Sequence, residues 1–422
     1  MRLPLFLFTV TLLALSPVSH AKKENSDKPA NGRTADGKPD TYQKIYDATV
    51  EGKSLEEYFA AINGGWDRNL STLRPRLDPA RSYLVIHSQE PKEVFDIRSP
   101  NDFKRGMMSK GLAKLALSTF GIGHVFISWR CQQEAGVAEG TVGMTGELDN
   151  QFKKMLDSGW GLTTFVTNFT DGHLQTPALL DFEFEGEEPL HTLAIEVDPS
   201  VCGNAMGFVK KFLNHPSKPY ENFGLQKDPV KFEGGGCGSF GMTVLDQSKI
   251  FGETKIIPNF WRHLAARTSL FGYGDLELPE DSSPKILRTD RTRKVSVAEL
   301  FLLADWNASR RDGGQKVKIM DPELLLLFLK TVYRSFYQDL YASDRALFRE
   351  LHGGALYQPR IAPSPDGDAR VINGTFDKQS NMTVRQTLAW VKRIKADGFR
   401  ARAVRVGNGK HTNVGVVLDR AN

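Results

Sequence analysis

The sequence predicts an α+β fold with a helix-rich C-terminal part, and three observations carry that expectation. Short runs rich in β-branched and aromatic residues recur between Ser82 and Val197. Helix start signals stand between and after those runs. From about Lys285 the pattern changes to longer apolar-periodic stretches, Val295–Trp306 and Asp321–Leu351.

In chain order, Met1-Arg2, the apolar run Leu3–Leu15 and the small-residue end Ser19-His20-Ala21 read as a cleavable secretory signal, residues 1–21. The apolar run is shorter than the ~20 residues a membrane span needs. No cysteine follows it, so lipoprotein processing is not expected. Residues 22–42, polar and poor in large apolar side chains, are expected to be a disordered leader. Ser54–Ile62 reads as a short helix with Ser54 and Glu57 as a capping box. Ser82–His87 reads as a strand and Lys110–Phe120 as a helix. Gly123–Cys131 reads as a strand with His124, Phe126, Ser128 and Arg130 on one face and Val125, Ile127, Trp129 and Cys131 on the other. Gly140–Thr145 and His191–Val197 are further strands, and Pro199 opens a helix to about Leu213. A helix from about Cys237 to Leu245 follows the run Gly234-Gly235-Gly236. Thr383–Asp397 is a helix with Thr383 and Gln386 as its capping box, and Arg400–Arg405 and Asn413–Leu418 are a pair of strands. Length favours two domains, residues 43–284 and 285–422.

A net charge of +5 spread along 422 residues lacks the basic stripe of a nucleic-acid binder. After the signal no apolar run is long enough to span a bilayer; Leu324–Leu329 is the greasiest. Asp171-Gly172-His173 and His411 have no second histidine at ligand spacing, and the glycine run lacks the Lys-Ser/Thr of a phosphate loop, so neither metal nor cofactor is expected.

Three cysteines, Cys131, Cys202 and Cys237, are an odd count for an exported chain, so one is left over from any disulfide. Cys237 has the most reactive context. At the first turn of a helix the dipole favours thiolate over thiol, and glycines beside it let a substrate approach and offer N–H groups to an oxyanion. A thiolate nucleophile also needs an imidazole to carry the proton. His124, just after a glycine at a strand start, has the best position among nine histidines. A disulfide half, a turn histidine and a structural glycine bulge are the competing readings of the same residues.

Gly123-His124-Val125-Phe126-Ile127-Ser128-Trp129, a second strand ending Val142-Gly143-Met144, then Tyr220 and Gly236-Cys237-Gly238-Ser239-Phe240 stand in an order that resembles the circularly permuted papain-like (NlpC/P60-related) cysteine hydrolases. The resemblance covers about Tyr83–Phe251. It implies a small antiparallel sheet with packed helices, Cys237 as nucleophile and His124 as general base and acid. Gly236 and Gly238 would lie at the oxyanion, and Tyr220 would help orient the site. Gly236 stands where the group commonly has Asn, and the third polar residue has no clear match; Thr141 is the nearest candidate and Glu139 the next. In this scheme Cys131 and Cys202 pair or stay buried. The implied protein is a secreted or periplasmic thiol hydrolase or acyltransferase without cofactor. Its substrates would be peptides, peptidoglycan-like in a bacterial host, or acyl groups. A non-catalytic exported binding or structural protein on the same fold is the second expectation.

Overall fold

The computed structural model describes residues 38–66, 72–89, 97–109, 124–146, 151–167, 169, 172–183, 190–252, 260–273, 293–308, 314–353, 361–363, 369–371, 378–407 and 413–421. All belong to one compact unit, Asn31–Asn422; the other, Met1–Ala30, lies outside them. The signal at residues 1–21 and the helix expected over Lys110–Phe120 therefore lie outside the described residues.

The centre of the fold is a mixed seven-stranded sheet. Its strands are β1 (Ser82–Gln89), β2 (Val125–Gln133), β3 (Gly136–Thr145), β4 (His173–Gln175), β5 (Leu190–Val197), β10 (Phe399–Val406) and β11 (Asn413–Arg420), in the order β10-β11-β5-β1-β2-β3-β4. Every neighbouring pair is antiparallel except β11 and β5, which run parallel. β6 (Trp261–Ala266) and β7 (Gln315–Met320) form a separate antiparallel ribbon, and β8 (Ile361–Pro363) pairs with β9 (Ala369–Val371). The sheet is thus larger than the small antiparallel one expected. The added strands come from the C-terminal tail, where Val416, Val417 and Leu418 take the free edge of β5. The boundary expected between 284 and 285 falls outside the described residues; beyond it, β8 and β9 pair with each other, while β10 and β11 complete the central sheet.

The alternation read in β2 sets the layers. Val125, Ile127, Trp129 and Cys131 face a core shared with α6 (Pro199–Leu213) and α7 (Cys237–Ser248) on the chain's N-terminal side, and with α8 (Pro322–Ser335) and α11 (Lys378–Ala396) from its C-terminal part. Phe126 faces a second core with Tyr83, Val85, Ala194, Val404 and Val417. The sheet is therefore covered on both sides, which is why the polar face expected for β2 is buried too, down to Ser128. A third core gathers α3 (Pro100–Ser109), α4 (Gln151–Ser158) and the inner face of the β6–β7 ribbon around Trp306 and Phe165.

Local signals explain most helix starts. Ser54 caps α2 (Leu55–Ile62) through the reciprocal box with Glu57, and Pro199 opens α6 behind Asp198. Thr383 does not cap: α11 begins five residues earlier at Lys378, and the Thr383 hydroxyl bonds back to Gln379 O at 3.0 Å inside the helix. The leader also ends sooner than expected. α1 (Lys38–Thr49) buries Tyr42, whose hydroxyl lies 2.8 Å from His173 Nε2, so an aromatic side chain anchors this helix to the core.

Candidate active site

Cys131 and Cys202 form a disulfide between β2 and α6, with a Cα–Cα distance of 5.6 Å, and Cys237 is a half-buried free thiol. The structure thus separates one cysteine from the other two. Both disulfide residues sit on the α6 side of β2, in the apolar core.

Cys237 is the first residue of α7, with Gly236 as its N-cap. The approach is shaped by backbone. Gly235 N–H donates to Asn222 O at 3.0 Å, and Gly224 N–H donates to Gly235 O at 3.1 Å, so the glycine run is zipped to residues 222–224. Gly234 has φ +115°, and a Cβ there would stand 2.0 Å from Asn222 O; no other residue fits. Gly236 N–H donates to Ser239 Oγ at 2.8 Å. That bond removes Gly236 from the oxyanion donors expected for it, because the helix uses the N–H to close its own first turn.

The His124 side chain hydrogen-bonds the Cys237 thiol, and the backbone N–H groups of Val125 and Gly238 point at it. Burial pushes the Cys237 thiol up, but the bond and charge of His124, aided by Val125 and Gly238, outweigh that, and the thiol lies below its ordinary value. His124 and Val125 stand at the mouth of β2, and α7 packs directly across β2 and β3. Strand start and helix start therefore meet, which no local pattern in the sequence reveals.

The other expected site residues fall elsewhere. Thr141 Oγ1 is 3.0 Å from Ser128 Oγ, which is 3.2 Å from His87 Nε2; His87 Nδ1 is 3.1 Å from Thr192 Oγ1. Thr141 thus belongs to a buried polar ladder across four strands, away from His124, because β3 pairs Thr141 with Ser128 rather than with the mouth of β2. Burial alone pushes His87 down to about 3, so it stays neutral. Glu139 is further still, paired with Arg74 at 2.5 Å and Arg130 at 3.2 Å. Tyr220 packs edge-on to Tyr58, ring centroids 6.1 Å apart.

A residue that the sequence reading passed over lies beside the histidine. Gly143 on β3 pairs with Gln175 on β4, and a Cβ on Gly143 would stand 2.6 Å from Gln175 Oε1 and 2.9 Å from His124 Nε2. The amide oxygen and the imidazole thus close over one glycine, whose lack of a side chain makes the room. Gln175 is fully buried. Nothing in the sequence marks it; it lies on a three-residue strand, and only the pairing β2-β3-β4 brings it to His124. Met320, the last residue of β7, is likewise drawn in: a Cβ on Gly238 would meet its sulfur at 2.8 Å.

Among the described residues no cluster of three or more His, Cys, Asp or Glu side chains could hold a metal ion, and no helix is long and apolar enough to cross a membrane. No family model, curated protein or solved structure matches the chain.

Proposed function

We propose that this chain is an exported thiol hydrolase or acyltransferase of permuted papain-like type, with Cys237 as nucleophile and His124 as its proton carrier. The observation that carries the reading is the free Cys237 thiol at a helix start, hydrogen-bonded by His124 and held below its ordinary titration range despite burial. The Cys131–Cys202 disulfide supports the exported part, since such bonds persist in oxidising compartments.

In this mechanism His124 holds the thiol proton and the Cys237 thiolate attacks an amide, ester or thioester carbonyl, forming a C–S bond. The carbonyl electron pair moves onto oxygen next to the Gly238 N–H, which already points at the sulfur. His124 then protonates the leaving group as the old bond breaks. Water or another acceptor, deprotonated by His124, resolves the thioester and frees the thiolate. Gln175, which shares the space over Gly143 with the imidazole, is the residue this reading proposes to steer it, the role left without a residue in the sequence, although no hydrogen bond joins its Oε1 to His124 Nε2. Peptides or acyl groups of the cell envelope are the substrates this reading proposes.

Alkylation of the folded protein with iodoacetamide across pH tests it. Selective modification of Cys237 with an apparent pKa clearly below about 8.5 is expected. An ordinary or unreactive Cys237 overturns the catalytic reading and leaves a binding protein on the same scaffold.

A further inference from the structure

The ribbon of β6 and β7 has two unlike faces, and one of them begins at the thiol. Arg262, Leu264, Ala266, Val317 and Ile319 point inward and are buried. The alternate residues share the other face: His263 beside Lys318 and Ala265 beside Lys316 at the open end, and the half-buried Trp261 beside Met320, whose side chain is buried in the main core. Met320 lies against Gly238, one residue from Cys237. Lys318 stands over the Trp261 ring at 4.0 Å from its centroid, and Lys316 is exposed. Moving away from the sulfur, the face therefore reads apolar, then cationic, then cationic again, in steps of about 7 Å.

Asp228, which caps the turn Pro229–Lys231, lies 3.9 Å from Lys318 and 3.6 Å from Lys231. One carboxylate thus serves two ammonium groups, while Lys316 stands beside them on the ribbon. The same turn packs on the glycine approach: a Cβ on Gly235 would lie 3.0 Å from Pro229 Cγ. The cationic groups are thereby tied to the mouth of the site by two independent elements, the ribbon and the turn.

We infer that the outer face of the β6–β7 ribbon is the substrate subsite of Cys237, and that it selects an acidic peptide: an apolar residue against the half-buried Trp261 next to the reacting carbonyl, then carboxylates facing Lys318 and Lys316. This inference rests on the catalytic reading for its chemistry, but the binding it describes is measurable without turnover. An extended peptide laid along the ribbon matches its spacing, since alternate peptide side chains fall at the same interval as Met320, Lys318 and Lys316.

The test uses the full chain carrying Cys237→Ala and two fluorescein-labelled peptides, acetyl-Leu-Ala-Glu-Ala-Glu-amide, which puts Leu and both Glu side chains on one face, and its Gln isostere, read by fluorescence anisotropy at low ionic strength. The acidic peptide is expected to bind about tenfold more tightly than the isostere. The advantage should vanish near 1 M salt, where screening reaches about 3 Å. Lys316→Glu, at an exposed position, and Lys318→Gln should each reduce the preference, and the pair should abolish it. In the protein with Cys237 intact, the acidic peptide should protect the thiol from iodoacetamide, which places the peptide at the site. Equal affinity for the two peptides, or a preference untouched by both lysine changes, overturns the inference. Binding without protection also overturns it, because the peptide then sits elsewhere. An ordinary thiol pKa with preserved acidic binding and protection would refute the catalytic reading while leaving the subsite standing.

Discussion

Replacing Gly143 by alanine tests the geometry of the site at its tightest point. The new methyl would lie 2.6 Å from Gln175 Oε1 and 2.9 Å from His124 Nε2, inside van der Waals contact with both. Gly143 sits in the β3 backbone, paired on one side with Phe126 and on the other with Gln175, so the main chain has little freedom to retreat. Both crowded atoms are side-chain ends, so they yield first, and the stability cost is expected at about 1–3 kcal/mol, as for other overpacked interiors. The chemical cost should be larger, because displacing a catalytic group by about 1 Å can reduce rates by roughly 10²-fold. The assay is Cys237 alkylation by iodoacetamide from pH 5 to 10, alongside circular dichroism and urea melts. Gly143→Ala should fold, raise the apparent thiol pKa toward the ordinary value of about 8.5, and slow labelling at pH 6. Adding Gln175→Ala to Gly143→Ala makes room for the methyl and should restore part of the labelling, a coupling that a double-mutant cycle reads directly. A folded Gly143→Ala protein with an unchanged labelling profile would refute the placement of His124 against this glycine.

Three further outcomes are expected. His124→Ala removes the strongest group that lowers the thiol. In the native protein, stability should rise with pH between the depressed folded value and the ordinary thiol value, and be lost as pH falls through the folded one; His124→Ala should flatten that rise in urea melts, and an intact rise would count against the pair. His87, held at about 3 in the folded state, must gain a proton on unfolding below about 6.5, so acidification across that window should cost up to about 4–5 kcal/mol. His87→Gln should remove most of that acid limb; an identical decline in the variant would assign it to other groups. The Cys131–Cys202 disulfide spans a separation of 71 residues. Cys131→Ala with Cys202→Ala should therefore lower stability by about 2–4 kcal/mol while Cys237 labelling keeps its pH profile; a shifted profile would mean that the bond also positions the site.

Much of the architecture was legible in short words of sequence. The capping box at Ser54, the alternation of Val125–Cys131 and the proline start at Pro199 are local rules, and each acts over a few residues in the structure. Cys237 at a helix start was legible for the same reason: glycine-rich approach and apolar helix are adjacent in the chain. What failed were expectations that depend on distant partners. Residues 38–42 looked like a polar leader until Tyr42 found His173, 131 residues away. The C-terminal strands read as a pair with each other, and the structure adds a third neighbour: β11 also pairs with β5. Thr141 looked nearest to a third site residue by chain position, but register assigns it to Ser128 and gives the place beside His124 to Gln175.

By itself, then, the sequence determined where many helices and strands begin and which cysteine stands at a helix start, because capping, alternation and the helix dipole are short-range. Tertiary structure alone decided which cysteines pair, which polar side chain stands over the histidine and which ribbon borders the thiol. Those are set by strand order and register, and a shift of one residue in pairing would turn Gln175 away from His124 and leave every local pattern unchanged.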